Sequence, residues 1–342
     1  MKDYLIIGQG IAGTTLSFEL QRRGLSFDVV DHIQSTTASK VASGLYNPLV
    51  LKRRRVVWQA HSMLNALLPF YRQMEEVTTA QFLQHHPVWE VLPDPGTEND
   101  WDALSEKPKF EELIGEIIPN PNPKIRALKL GEVSGSGRVN VETMIEAWKS
   151  LLITHNSFIE GEVTSDNLKW NDNWIWNEQK YRNVIWCNGY QPVNTHFPNL
   201  PFSPTKGEVL IVRAPELQLD HILHGNMFIM PWGDDLYKVG ATYSWDQLDT
   251  EPTDKGRAQL IEAWEKLVDC PFEIVKHEAG VRPNVKDRKP LLGKSQIKPN
   301  SYIFNGLGSR GILMAPWLAN HMAEHLQRET PLPPEVDVNR FS

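Results

Sequence analysis

Cysteine is scarce. The 342 residues include only Cys187 and Cys270, with no CxxC pair and no disulfide framework. That suits a reducing cytoplasm, the location expected here. No apolar run approaches the length of a membrane-spanning helix. The apolar start Tyr4-Leu5-Ile6-Ile7 breaks at Gly8 and lacks a basic leader, so it reads as a buried strand and not as a signal peptide. Positive charge is not in excess either. A formal net charge of -7 argues against general nucleic-acid or anionic-membrane binding. The one basic run, Lys52-Arg53-Arg54-Arg55, reads as a solvated loop, or as a contact for an anionic partner. Metal-ligand patterns are missing as well. His85-His86 and His221-Ile222-Leu223-His224 come with no HExxH or cysteine pair, and strand residues three apart point to opposite faces, so no metal is expected.

What is present is an ordinary globular composition, 41% hydrophobic and 23% charged, in a chain long enough for one large or two interleaved domains. Asp3–Ile7 is a compact apolar run suited to a parallel strand covered on both faces. It enters the turn Gly8-Gln9-Gly10-Ile11-Ala12-Gly13. A helical stretch follows over Ile11–Arg23, with Gly24 as its C′ residue, and Ser26–Asp31 is a second strand. This βαβ opening carries specific physics. Gly8 permits the tight exit from the strand, Gly10 lets the backbone approach a pyrophosphate, and Gly13 lets helix and sheet pack closely. The helix N-terminus turns free N–H groups toward the phosphates. Asp31, 18 residues past Gly13, stands where a carboxylate accepts from ribose hydroxyls and disfavours a 2′-phosphate, which argues against NADP.

Further along, Val57–Met74 has helical apolar spacing with Pro69 inside it, and Leu92–Lys124 reads as irregular excursions. Val141–Leu152 is a helix, and Leu168–Trp176 is a hairpin around Asn171-Asp172-Asn173. Strands follow from Glu208 to Tyr243, then a helix over Gly256–Val268. A strand at Tyr302–Phe304 enters a second glycine-rich turn, Gly306-Leu307-Gly308-Ser309-Arg310-Gly311, which opens a helix to about Leu326. That second helix N-terminus either faces the negative charge that develops near N1 and O2 of a reduced flavin, or simply caps a helix. Two such turns at opposite ends of the chain fit FAD better than a simple dehydrogenase cofactor.

Several segments together resemble the D-amino-acid oxidase/glycine oxidase family of FAD-dependent oxidoreductases, over most of the chain. They are GQGIAG with Asp31, Ser39–Leu45, Phe228-Ile229-Met230-Pro231 and Val239-Gly240-Ala241-Thr242. Ala279-Gly280-Val281-Arg282-Pro283 with Asp287 and Pro290, and Asn305–Pro316, complete the set. The resemblance implies an α/β chain: a Rossmann-like FAD-binding domain and a second, strand-rich α+β substrate domain. The first would take residues 1–50, 140–205 and 271–342, and the second 51–139 and 206–270. By motif position Ile11, Ala12, Asp31 and His32 would contact the ADP half of non-covalent FAD, and Val163 the adenine. Ser39, Ala42, Ser43, Gly44 and Leu45 would line the flavin. Leu307, Gly308, Ser309, Arg310, Gly311, Ile312 and Leu313 would hold the isoalloxazine edge.

The activity implied is oxidation of an amine or amino acid bearing a carboxylate, with oxygen or another acceptor taking the electrons. Arg282 matches the family's carboxylate-binding arginine, a role suited to a guanidinium fork. Three positions depart from the glycine-oxidase pattern. Phe228 stands where relatives place a tyrosine, Asn226 where they tend to place a histidine, and Ser309 where they tend to place an arginine, with Arg310 adjacent. The pocket would also draw on Leu45 and Tyr243, while Tyr243, Tyr46 and Asn47 fit packing roles equally well. Ala42-Ser43-Gly44-Leu45-Tyr46-Asn47-Pro48-Leu49 is also similar to the oxidase domain of a bacterial tRNA-modifying enzyme. A tRNA-modification oxidase is therefore one alternative, and a flavin-binding protein with a decayed substrate site is another.

Overall fold

Two large sheets divide the chain. The computed structural model describes residues 1–32, 37–191 and 195–341. Strand Lys2–Ile7 runs parallel to Phe27–Asp31 on one side and to Gln179–Trp186 on the other. Phe158–Glu160 and Ser301–Asn305 extend this parallel core outward, and the hairpin Lys169–Asn171/Asn173–Trp176 and strand Leu291–Lys294 add antiparallel edges. The apolar runs of the central strands are buried throughout, as a sheet covered on both faces requires. On one face the first helix, Ile11–Arg22, packs against the C-terminal helix, Gly311–Arg328, with Ala60–Thr78 beside them. The opposite face buries Leu5, Val30, Trp174, Trp176 and Ile303.

The second sheet has eight strands. From one edge to the other they are Glu273–Arg282, Thr205–Arg213, Leu236–Gly240, Phe228–Gly233, Ile222–His224, Val88–Leu92, Lys129–Val133 and Ile114–Pro119. All neighbours are antiparallel except Ile222–His224 and Val88–Leu92. Helix Asp254–Leu267 lays Leu260, Trp264 and Leu267 on one face. The other face turns toward the first sheet and, with it, walls the cavity described below.

Element types expected from the sequence recur, with one difference. Leu92–Lys124 is not merely irregular: it contains helix Pro95–Ser105 and strand Ile114–Pro119. The helix starts on a reciprocal cap, in which Asp94 accepts from the Thr97 N–H and Thr97 Oγ1 accepts from the Asp94 N–H, with proline at its first position. Capping there outweighs a weak apolar stripe. Glu273–Arg282 pairs with Thr205–Arg213 in the second sheet, and Ala60–Thr78 packs in the core beside the first. Among the described residues no helix is long and apolar enough to cross a membrane.

Candidate active site

A cavity of about 960 Å³ runs between the sheets, from the first glycine turn to the hairpin at Asn226. Its near end is built as the sequence demands. Gly8 sits at φ 101°, and a Cβ there would lie 2.7 Å from the Cys187 carbonyl oxygen. Gly13 is tighter: its Cβ would fall 1.8 Å from the Gly8 carbonyl oxygen, so helix and turn close only on glycine. Gly10, Ile11 and Ala12 face the cavity, whereas Gly13 lies behind the wall.

Gly10 offers no side-chain cap to the first helix. Ser39 Oγ accepts from the Ile11 N–H at 3.1 Å, closing one free donor and leaving the helix end turned to the cavity. Asp31 Oδ2 accepts from the Gln9 N–H at 3.1 Å and Oδ1 from the His32 N–H at 3.0 Å. Burial pushes the Asp31 carboxyl above the usual carboxylate range, against the lowering effect of those two donors. His32 and Val163 also line this end.

The middle of the cavity is walled by Ser39, Ala42, Ser43, Gly44 and Leu45 on one side. On the other stand Leu307, Gly308, Ser309, Arg310, Gly311, Ile312 and Leu313. Gly306 supports this wall from behind at φ 74°. The C-terminal helix begins without a side-chain cap, so its positive end opens on the cavity. Arg310 lines the cavity, but its guanidinium is engaged: Nη1 donates to the Asn47 carbonyl at 2.9 Å and Nη2 to the Leu49 carbonyl at 3.1 Å. It fastens the 47–49 segment to the helix start. Cys187 also borders the cavity, and burial pushes its thiol up, which leaves it an inert protonated core thiol at neutral pH.

At the far end Arg282, Tyr243, Phe228 and Asn226 come together around one space. Arg282 ends the strand Glu273–Arg282 and lies flat over the Gly207 backbone, where a Cβ would meet the guanidinium at 2.0 Å. Nη1 donates to the Thr242 carbonyl at 3.3 Å, and the ring of Tyr243 covers the guanidinium, 4.5 Å from its centroid. Desolvation depresses its pKa, and among the described residues no carboxylate pairs with it. The site therefore holds a deep cation whose counter-charge the chain does not supply.

The remaining candidates divide cleanly. Asn47 lines the cavity, whereas Tyr46 packs in the core, where burial pushes its phenol up to about 12. Asp287 pairs with Arg340 at 2.9 Å and stays out of the cavity. Among the described residues no cluster of three or more His, Cys, Asp or Glu side chains could hold a metal. Glu90 carries no local sequence signal, and His224 enters the sequence expectations only as a candidate metal ligand. Both line the cavity, with His224 Nδ1 2.5 Å from Glu90 Oε2. The signal for His224 was its place in a strand that turns back at Gly225–Met227 into Phe228; nothing local marked Glu90.

Comparison with known proteins agrees with this geometry. The family model DAO, described as FAD dependent oxidoreductase, matches residues 3–325. Among curated proteins, the "tRNA 5-methylaminomethyl-2-thiouridine biosynthesis bifunctional protein MnmC" of Idiomarina loihiensis is 25% identical, over 99% of this chain and 59% of its own length. The "Bifunctional protein ThiO/ThiG" of Trichormus variabilis is 24% identical, over 99% of this chain and 55% of its own. The chain thus spans a little over half of these relatives. Among solved structures, glycine oxidase from Geobacillus kaustophilus superposes with a TM-score of 0.79 at 19% identity, covering 100% of this chain and 98% of its own. Iminodiacetate oxidase from Chelativorans sp. gives 0.80 at 17% identity, covering 97% and 98%.

Proposed function

Because the chain belongs to the DAO family of FAD-dependent oxidoreductases, we propose that it oxidises a small amine or amino acid bearing a carboxylate. The observation that carries this reading is the Arg282 guanidinium, deep in the cavity and without an acid of its own. Bound FAD supplies the hydride acceptor, and an external acceptor, oxygen or another, reoxidises it.

The residues fit that cofactor. Gly10, Ile11 and Ala12 would approach the pyrophosphate, Asp31 would accept from the ribose hydroxyls, and His32 and Val163 would flank the adenosine end. Ala42–Leu45 and Leu307–Leu313 would hold the ring system between them. The start of the C-terminal helix would then favour negative charge on its pyrimidine edge.

Arg282 would bind the substrate carboxylate through its free N–H groups and so present the neighbouring C–H to the cofactor. Phe228 offers an apolar wall and no hydroxyl, which favours a larger or less polar substrate than glycine. Bound FAD would take the hydride from the substrate carbon, water would take the amine proton, and the imine product would then hydrolyse. No side-chain base is needed if the amine enters neutral. The unpaired Cys187 and Cys270 suit a cytoplasmic setting.

Mixing the FAD-loaded protein anaerobically with glycine, sarcosine, longer N-alkylglycines and D-amino acids tests the reading. Bleaching of the flavin by at least one supports it. No bleaching by any member would leave only a flavin-binding protein.

A second reading, oxidation of a carboxymethylaminomethyl base in tRNA, is favoured by two observations. One is the 25% identity to the Idiomarina loihiensis protein over nearly the whole chain. The other is the basic run at the cavity rim, where Lys52 lines the cavity and Arg53 and Arg55 are exposed, although Arg54 is paired with Asp100. This reading requires salt-sensitive tRNA retention in filter binding, and no retention at low salt removes it.

A further inference from the structure

The cavity has a second polar pole. Phe228 is directly opposite His224 on the neighbouring strand, and His224 is directly opposite Glu90 on the next. Residues in register share a sheet face, so all three side chains look into the same cavity, and each lines it. Trp89 and His221, one residue out of phase on these strands and three back, stack on each other at 3.6 Å on the far side. Glu90 is two strand spacings from Phe228, roughly 10 Å.

The chemistry of this pole is defined by its one short contact. At 2.5 Å a proton must lie between His224 Nδ1 and Glu90 Oε2. The second oxygen of Glu90 is a further acceptor. Neither that oxygen nor His224 Nε2 has a hydrogen-bond partner among the described residues. The two cations that also line this end are bound elsewhere, Arg126 to Asp269 at 2.6 Å and Lys266 to Glu262 at 2.6 Å. The far end of the cavity thus holds an unpaired cation, Arg282, and, across Phe228, the Glu90–His224 pair with an open carboxylate acceptor.

We propose that Glu90 and His224 form a distal recognition site for a cationic or hydrogen-bond-donating group on the substrate, set apart from its carboxylate by an apolar linker along Phe228. The substrate class is then an amine with a carboxylate on one arm and a donor, such as an ammonium, on the other. This inference rests on the carboxylate-amine reading of Arg282.

The test uses the FAD-loaded full chain and two probes that share a carboxymethylamine: N-carboxymethyl cadaverine, which ends in an ammonium, and N-pentylglycine, which ends in a methyl group. Binding is read from perturbation of the flavin spectrum and turnover from anaerobic bleaching. The wild type is expected to prefer the cadaverine derivative about tenfold, the value of one charge-assisted hydrogen bond. Glu90→Gln should abolish the preference while keeping its flavin content, which reports that the variant is folded. Equal treatment of the two probes by the wild type, or a preference that survives in Glu90→Gln, overturns the distal site and leaves the Arg282 reading intact. Failure of both probes to perturb or reduce the flavin overturns that reading and the distal site with it.

Discussion

The Arg282 guanidinium lies 4.5 Å from the centre of the Tyr243 ring, and Nη1 donates to the neighbouring Thr242 carbonyl. A half-exposed aromatic thus covers a deep cation at the far end of the cavity. The pairing holds the guanidinium plane fixed while leaving N–H groups free for a ligand.

Replacing Arg282 by alanine should therefore cost carboxylate recognition and spare the cofactor. A buried, hydrogen-bonded charge pair loses about 3 kcal/mol when one partner is truncated, roughly a hundredfold in kcat/KM. Steady-state kinetics and flavin content measure the two effects separately. Arg282→Lys should recover only part of the loss, since an ammonium cannot pair as a fork.

Tyr243 makes a smaller and separable contribution. Tyr243→Ala should weaken a carboxylate ligand by about 1 kcal/mol, near fivefold in Kd, and Tyr243→Phe should stay close to wild type because the ring is kept. Titration with a non-reacting carboxylate, followed in the flavin spectrum, distinguishes the two variants. Equal weakening in both would assign the effect to the hydroxyl.

Asp31 predicts a pH effect on cofactor retention. Its carboxyl is raised by burial, so it takes up a proton at a higher pH than an exposed aspartate. As pH falls through that raised pKa, the acceptor for the ribose hydroxyls is lost and FAD affinity should drop. The same protonation favours the folded apoprotein, because the folded state binds the proton more tightly than the unfolded chain. Affinity and apoprotein stability should move in opposite directions on acidification, and Asp31→Asn should flatten both trends. FAD titrations and thermal melts of the apoprotein across the acid range check this.

Lys238 gives an alkaline counterpart. It is almost fully buried, 3.6 Å from Glu278 and over the Trp232 ring, and burial lowers its pKa to about 8. Between that value and the ordinary lysine value near 10.4 the unfolded chain holds more protons, so this residue's contribution to stability rises with pH across that window. Lys238→Met should remove that rise, about 3 kcal/mol, in denaturant titrations run at neutral pH and above.

Much of the site was legible in the sequence because its parts are local. The Gly8–Gly13 turn, Asp31 at its strand end and the Gly306–Gly311 turn each carry their physics within a few residues. Their convergence on one cavity follows from a parallel sheet that brings strand ends together. The Leu92–Lys124 segment was harder, since its helix rests on the Asp94–Thr97 cap and not on apolar periodicity. Glu90 was not legible at all. Its meeting with His224 joins residues 134 apart and depends on a parallel pairing of short strands that no local pattern specifies. Arg310 shows the converse: its position was evident, but its work, holding the Asn47 and Leu49 carbonyls, lies in a tertiary contact.

The most direct test of the account is anaerobic mixing of the FAD-loaded wild type and its Arg282→Ala variant with sarcosine and N-pentylglycine. The account predicts that the wild-type flavin band bleaches with at least one of these, and that the variant, holding the same flavin, bleaches roughly a hundredfold more slowly at low substrate concentration. Bleaching of the variant at the wild-type rate would contradict it.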